Sequence, residues 1–553
     1  MAVTEADYVI VGAGLTGCAL ATRLADSGAS VVVIEAGKDA SDDPRTLTAF
    51  GGFELAGSEL DWAYKTIPQK HTADRVHDEI AGKTVGGGSI LNYGGWFRGD
   101  QTDYDEWAKA VGDQKWNHDG FLPYFRKTEN FYDKNADKTL HGFDGPFHVN
   151  SISSSDANRK YGLRDHIKDA YTELGVPYQP DPAKGLAGIC EFHESWYKGK
   201  RQPANLTYGM KNVKVLSETL VQKVILDKQS GGAEPVATGV HLADGQKITA
   251  RKEVIICSGS FRSPQVLMLS GIGDKSVLNK HSIPVAVDLP TVGHGLFDHF
   301  ALFQFYQVKD PSGPNSVGNA HWKDPAYFAG LPVDWAVNEV VPESIMKKAI
   351  DHDNATTDDE LVKLRNKALL APNRPHVEEM TLYAPILPGI PVDGSIIATS
   401  IMLLLPTSRG DVSIQSADAK DAPLVNPNFY ATAADKAVLT YGTKGVLQAF
   451  LNTKAGKEHI ECEIPPPGMQ PLTAESTDEE IDERIRNVGV THKHAMGSNP
   501  MGKVVDTQLR VKGVKGLRVC DASIFPVSVG GHPQATLYAL AEKTADMMLG
   551  RHE

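Results

Sequence analysis

The chain has 553 residues and carries 69 acidic against 56 basic side chains, a formal net charge of -13. That acidity disfavours nucleic acid and anionic membrane surfaces as partners, and the length exceeds one compact core, so two domains interleaved along the sequence are expected. Five cysteines, Cys18, Cys190, Cys257, Cys462 and Cys520, lie scattered without CxxC spacing, so neither a disulfide framework nor a metal site is expected.

The apolar run Tyr8-Val9-Ile10-Val11 meets Gly12-Ala13-Gly14-Leu15-Thr16-Gly17, continues in a helical pattern and returns as Val31-Val32-Val33-Ile34-Glu35. Strand, glycine turn, helix and strand in that order form a dinucleotide site. Gly12 permits the tight turn, Gly14 lets the backbone approach a pyrophosphate, and Gly17 lets the helix pack close on the strand. Leu15 and Thr16 stand at the positive end of the helix dipole. Glu35, followed by Ala36, is placed to accept hydrogen bonds from an adenosine ribose, and an acid there argues for FAD or NAD over NADP. The first strand begins within ten residues of Met1, and no run reaches the roughly 18 apolar residues of a membrane helix. An intracellular, cytoplasmic protein without membrane contact is therefore expected.

A second glycine-rich stretch, residues 82–93 with Gly86-Gly87-Gly88-Ser89 at its centre, reads as another backbone approach to something flat or anionic. From about 104 to 200, Trp107, Trp116, Tyr124 and Phe125 mixed with charged residues suit helices and loops outside the cofactor sheet. Strands resume at 213–216, 220–226, 236–242 and 253–257. Between about 300 and 480, alternating stretches at 395–405 and 411–414 and a charged helical segment near 358–368 predict a mostly antiparallel sheet with helices against one face, on the substrate side.

Three further motifs carry a family resemblance. Residues 82–99, with Gly86-Gly87-Gly88-Ser89, Asn92 and Arg98-Gly99 ahead of Asp103-Tyr104-Asp105-Glu106-Trp107, resemble the first signature of the glucose–methanol–choline (GMC) oxidoreductases. Gly259-Ser260-Phe261-Arg262-Ser263-Pro264-Gln265 and its continuation to Gly273 resemble their second. Segments 494–502 and 517–526 resemble the region carrying the family's catalytic histidine. The resemblance implies an α/β, Rossmann-like FAD-binding domain assembled from 1–50, 78–110, 200–300 and 490–553. It also implies an α+β substrate domain with a mostly antiparallel sheet, from 51–77, 111–199 and 301–489. Bound FAD is implied, with Val221 near the adenine, and with Val85, Gly88, Asn92 and the turn Asp521-Ala522 near the isoalloxazine and pyrophosphate. Some relatives attach FAD through a histidine where Leu91 stands here, so noncovalent FAD is implied.

Oxidising an alcohol with flavin requires a base for the hydroxyl proton and a geometry that delivers the α-hydrogen as hydride to flavin N5, and a histidine suits the first task. By the resemblance His494 is that base. His532, in Gly530-Gly531-His532-Pro533-Gln534, is the second catalytic group, donating a hydrogen bond to the substrate oxygen, and with Pro533 and Gln534 it borders the flavin. His492, on a strand, would share the face of His494 and compete for its role. Stretches 61–66 and 91–93 are similar to the formate oxidases of the family, but those carry arginine where His532 stands, and arginine is what pairs with a carboxylate. The expected reaction is oxidation of a small primary alcohol, aromatic alcohols included, with Tyr93, Trp96 and Phe525 as candidate apolar walls. The alternatives are a hydroxynitrile lyase or cyclase with non-redox FAD, and a formate or aldehyde oxidase. Oxygen and a quinone both stay open as electron acceptor.

Overall fold

Two seven-stranded sheets organise the computed structural model, which describes residues 4–227, 234–385 and 389–551. The first runs in the order Val213–Leu216, Val31–Ile34, Glu5–Val11, Lys247–Ile256, Val236–Leu242 and Val221–Asp227, with Leu517–Val519 also paired to Lys247–Ile256. Its parallel centre extends into an antiparallel hairpin edge. Val31–Ile34 is buried on both faces, as its unbroken apolar run requires when helices cover a parallel sheet. Helices Leu15–Asp26 and Pro533–Met548 pack against each other on this domain.

The glycine turn explains how closely these pieces fit. Gly12 has φ +102° and a methyl there would lie 2.4 Å from the Cys257 carbonyl oxygen; a methyl at Gly17 would lie 2.1 Å from the Gly12 carbonyl oxygen. Both positions therefore demand glycine, one for conformation and the other for contact. Cys18, Cys257 and Cys520 are buried beside this crossing.

The second sheet is antiparallel and runs Ile460–Ile464, Phe300–Val308, Ile396–Leu403, Val377–Leu382, Val333–Glu339 and Gly188–Glu191, with Val490–Thr491 also paired to Phe300–Val308. Helix Ala433–Leu451 covers one face: a methyl at Gly442 would sit 2.7 Å from Val377 and 2.9 Å from Ile401 side-chain carbons. Alternation along the strands turns Glu378 and Ser400 to the opposite face. The sequence reading expected an antiparallel sheet here, but Ile396–Leu403 is buried throughout, because the helix covers one face and the functional site covers the other. The 104–200 region supplies helices Gln101–Val111, His118–Thr128 and Arg164–Glu173, and also the edge strand Gly188–Glu191 of this sheet, which the sequence reading had left among helices and loops. Trp96 and Phe525, expected as substrate walls, are core residues instead: Trp96 stacks 6.0 Å from Tyr538, and Phe525 packs 4.6 Å from Trp107. No helix among the described residues is long and apolar enough to cross a membrane.

Gly17→Ala should destabilise the protein by about 1–3 kcal/mol, because overpacking against a fixed carbonyl outweighs the gain in helix propensity. Urea unfolding measures this, and an unchanged midpoint would contradict the close crossing.

Candidate active site and cofactor cleft

A cleft opens at the C-terminal ends of the parallel strands, where Val11, Ile34 and Cys257 emerge, the usual ligand position in an open α/β sheet. Of the residues singled out from sequence, Gly12, Gly14, Leu15, Thr16, Glu35 and Ala36 line it, as do Gly88, Val221, Asp521 and Ala522. Gly17 lies beneath it, packed on Gly12, and Val85 is buried beside it with its N–H donated to the Lys38 carbonyl at 3.1 Å. Gly87, Lys493 and Ala495 also belong to the lining.

The lining suits a dinucleotide. Gly14 has φ -78°, and a methyl there would meet nothing closer than 4.0 Å, so the bare backbone faces open space at the helix N-terminus, where first-turn amides lack intrahelical partners. Gly259, at φ +77°, likewise has nothing within 4 Å of an added methyl. Glu35 is more constrained than expected: Oε2 accepts from the Ala13 N–H and Oε1 from the Gly37 N–H, each at 2.9 Å, so it braces the turn and leaves only its remaining lone pairs for a ribose. Burial pushes its carboxyl up to about 7, against the pull of those backbone donors. Asp521 ties the second signature to the C-terminal turn, accepting from the Gly259 N–H at 2.9 Å, from the Ser263 hydroxyl, and from the Ser523 N–H at 2.9 Å.

Around the segment that carries the lining residues Lys493 and Ala495 the chain brings four histidines together. Segment 490–496 runs antiparallel to 297–301: Phe300 pairs with Thr491, the His492 N–H donates to the His299 carbonyl at 2.8 Å, and Phe297 exchanges two backbone bonds with Met496. The His494 N–H donates to Asp298 Oδ1 at 2.8 Å, while Asp298 also accepts from the Thr491 hydroxyl. The ring centroids of His492 and His494 are 5.1 Å apart, those of His494 and His532 5.2 Å, and those of His299 and His494 5.1 Å. His494 Nδ1 lies 3.0 Å from His299 Nδ1, and no hydrogen bond from the described residues reaches its Nε2. Burial first, and the neighbouring rings second, hold His494 well below the usual imidazole range, so it is neutral.

The rest of the cluster differs in part from expectation. His492 does lie beside His494, its ring 6.0 Å from that of His532, although the strand ends at Thr491 and Lys493, at φ +66°, turns the chain; His492 Nε2 lies 3.1 Å from the Ser400 hydroxyl. His532 caps helix Pro533–Met548, and its Nε2 lies 2.9 Å from Glu378 Oε1. Asn92 and Gln534 are joined, Asn92 Nδ2 donating to Gln534 Oε1 at 3.1 Å, and Gln534 reaches the Gly95 carbonyl; these two, with Pro533, lie outside the cleft lining. The aromatic rings beside His532 are Phe97 at 5.7 Å and Phe192 at 6.1 Å. His299, Glu378, Phe97 and Phe192 were all missed from sequence. The available signal for Glu378 was the pair Glu378-Glu379 inside an apolar strand, since adjacent buried acids on opposite faces each need a partner.

The profile described as GMC oxidoreductase matches residues 6–301 with its N-terminal part and 406–541 with its C-terminal part. This chain belongs to the GMC oxidoreductase family. It is 38% identical to the GMC-type oxidoreductase acuG of Aspergillus aculeatus over 99% of both chains. To patulin synthase of Aspergillus clavatus it is 31% identical, over 98% of this chain and 91% of that protein. A crystal structure of formate oxidase superposes with a TM-score of 0.87 at 26% identity, covering 100% of this chain and 99% of the other. As a GMC oxidoreductase the protein is an FAD-dependent enzyme, and the cleft is the place its residues offer that cofactor.

Gly14→Val tests the placement, since its side chain would enter the cleft without clashing elsewhere. The variant should fold and melt like the apoprotein yet purify without flavin absorbance. A fully flavin-loaded Gly14→Val protein would contradict it.

Proposed function

We propose that this GMC oxidoreductase oxidises a small primary alcohol to the aldehyde, with His494 as the base. The observation that carries the reading is His494 itself: a neutral ring whose Nε2 is unengaged, beside the FAD cleft, 5.2 Å in ring separation from the second histidine. Bound FAD supplies the two-electron acceptor for the α-hydrogen. His494 Nε2 takes the hydroxyl proton as that hydrogen leaves. His532 Nε2 is engaged by Glu378 Oε1 at 2.9 Å, so in this reading the nitrogen of His532 that turns to the substrate oxygen is Nδ1. Phe97 and Phe192 exclude water beside it. An uncharged substrate fits better than formate, because no guanidinium among the described residues hydrogen-bonds to these four rings. Asn92, Gln534 and Pro533 border the flavin in this reading, and the FAD-binding part comprises 1–50, 78–110, 200–300 and 490–553.

FAD is held noncovalently in the same reading: Leu91 packs into an apolar cluster with Ala40, Leu55, Leu60 and Ile90 and has no group to offer the flavin. Acid precipitation should leave the yellow cofactor in the supernatant, and colour retained in the pellet would contradict this.

Anaerobic mixing with a panel of primary aliphatic and aromatic alcohols should bleach the flavin. His494→Ala should slow that reduction by about 10² to 10⁴ with a smaller effect on binding, and His532→Asn should retain more activity than His532→Ala. Turnover of an alcohol, cyanohydrin or aldehyde without bleaching would replace this reading with a lyase or cyclase that keeps FAD unreduced.

A further inference from the structure

His299 is fully buried, touches His494, and has no role in the reaction as set out above. What it does follows from counting protons along one line of contacts. The Ser528 hydroxyl donates to the Leu404 carbonyl at 2.9 Å, and Ser528 Oγ lies 3.0 Å from His299 Nε2. A hydroxyl has one proton, so with that proton directed to Leu404 its oxygen accepts from His299, and His299 Nε2 carries the hydrogen. The backbone carbonyls of Leu404 and Val529 also favour the protonated ring. Burial pushes His299 down to about 3, so the ring holds a single proton at any working pH, and Nδ1 is a bare lone pair. That lone pair faces His494 Nδ1 at 3.0 Å, a distance that requires one hydrogen between the two nitrogens. The hydrogen must belong to His494.

We propose that Ser528 and His299 are positioning residues that fix His494 as its Nδ1–H tautomer, leaving Nε2 as the lone pair that receives the substrate proton. The opposite arrangement puts hydrogen on His494 Nε2 and makes it a donor. It would require Ser528 to turn its proton from Leu404 to His299, taking from the Leu404 carbonyl the hydroxyl that donates to it. When His494 accepts the hydroxyl proton at Nε2, Nδ1 keeps its own hydrogen and its bond to His299, so one proton enters the line and none needs to leave it. The three parts come from separate segments: Leu404 follows strand Ile396–Leu403, His299 precedes strand Phe300–Val308, and Ser528 lies in the loop leading to His532. Ring orientation set through the second nitrogen of a histidine is a general device in active sites.

The proposal rests on His494 being the base, and the test separates the two claims. In FAD-loaded protein labelled with ¹⁵N-histidine, the His494 ring signals, identified by their loss in His494→Ala, should show Nδ1 protonated and Nε2 bare at neutral pH, with no substrate present. A protonated Nε2 would overturn the relay even if alcohols bleach the flavin. A bare Nε2 without bleaching by any alcohol would leave the relay standing and remove the oxidase reading. In kinetics, His299→Leu should slow anaerobic flavin reduction by about 10- to 100-fold with substrate affinity changed less than about twofold. His299→Asn, whose amide oxygen can stand where Nδ1 stood, should recover most of that loss. Equal losses in the two variants, or none in His299→Leu, would overturn the proposal. Should His299→Leu fail to hold FAD, Ser528→Ala is read instead, with its His494 signals showing a mixture of tautomers; an unmixed native signal would exclude Ser528 from the relay.

Discussion

Exclusion of water from one corner of the molecule is the constraint on which the chemistry depends. Imidazole rings crowded within about 5–6 Å of one another in solvent would titrate near pH 6.5 and repel once charged. Here burial keeps His299, His492 and His494 neutral, so each ring holds one proton and each nitrogen is either donor or acceptor. The same burial pushes the Asp298 carboxyl up to about 6, while that side chain still grips the His494 backbone and Thr491. In the reading proposed above, His494 is then a base that is ready without first losing a proton.

That corner exists because two sheets of different character meet there. The parallel sheet ends in glycine turns that bring backbone, not side chains, to the cleft, and the Gly12 and Gly17 contacts leave no room for any other residue. The antiparallel sheet presents Glu378 and Ser400 from strands covered behind by helix Ala433–Leu451. Segment 490–496 and the loop through Ser528 to His532 bridge the two, so the histidines belong to the connection and not to either sheet alone. Coupling between cofactor and substrate sides follows from this: Lys493 and Ala495 line the FAD cleft while His494, between them, turns its ring to the cluster.

The parts legible in sequence were those whose chemistry is local. The turn at Gly12 to Gly17 and the acid at Glu35 each hold their meaning within a few residues, and the strand, turn, helix and strand read there are the ones the structure has, with Gly12, Gly14 and Glu35 in the cleft lining. The partners of Glu378 and His299 were not legible, because they lie 154 and 195 residues away; the adjacent acids Glu378-Glu379 signal that a partner is needed but not which one. Tryptophan and phenylalanine misled in the other direction: Trp96 and Phe525 signal burial by type, and burial in the core is what they have. His492 lies beside His494 as expected, but a turn with a left-handed residue at Lys493, not a continuing strand, brings it there.

The claim most exposed to test is that His494 acts as a half-buried, already neutral base. The pH dependence of anaerobic flavin reduction by a reducing alcohol reads it directly. A base whose pKa is depressed stays active above that depressed value, so the rate constant should remain level as pH falls through about 6.5 and decline only well below it. An acid limb with its midpoint at or above about 6.5, the value of a solvated imidazole, would contradict the account.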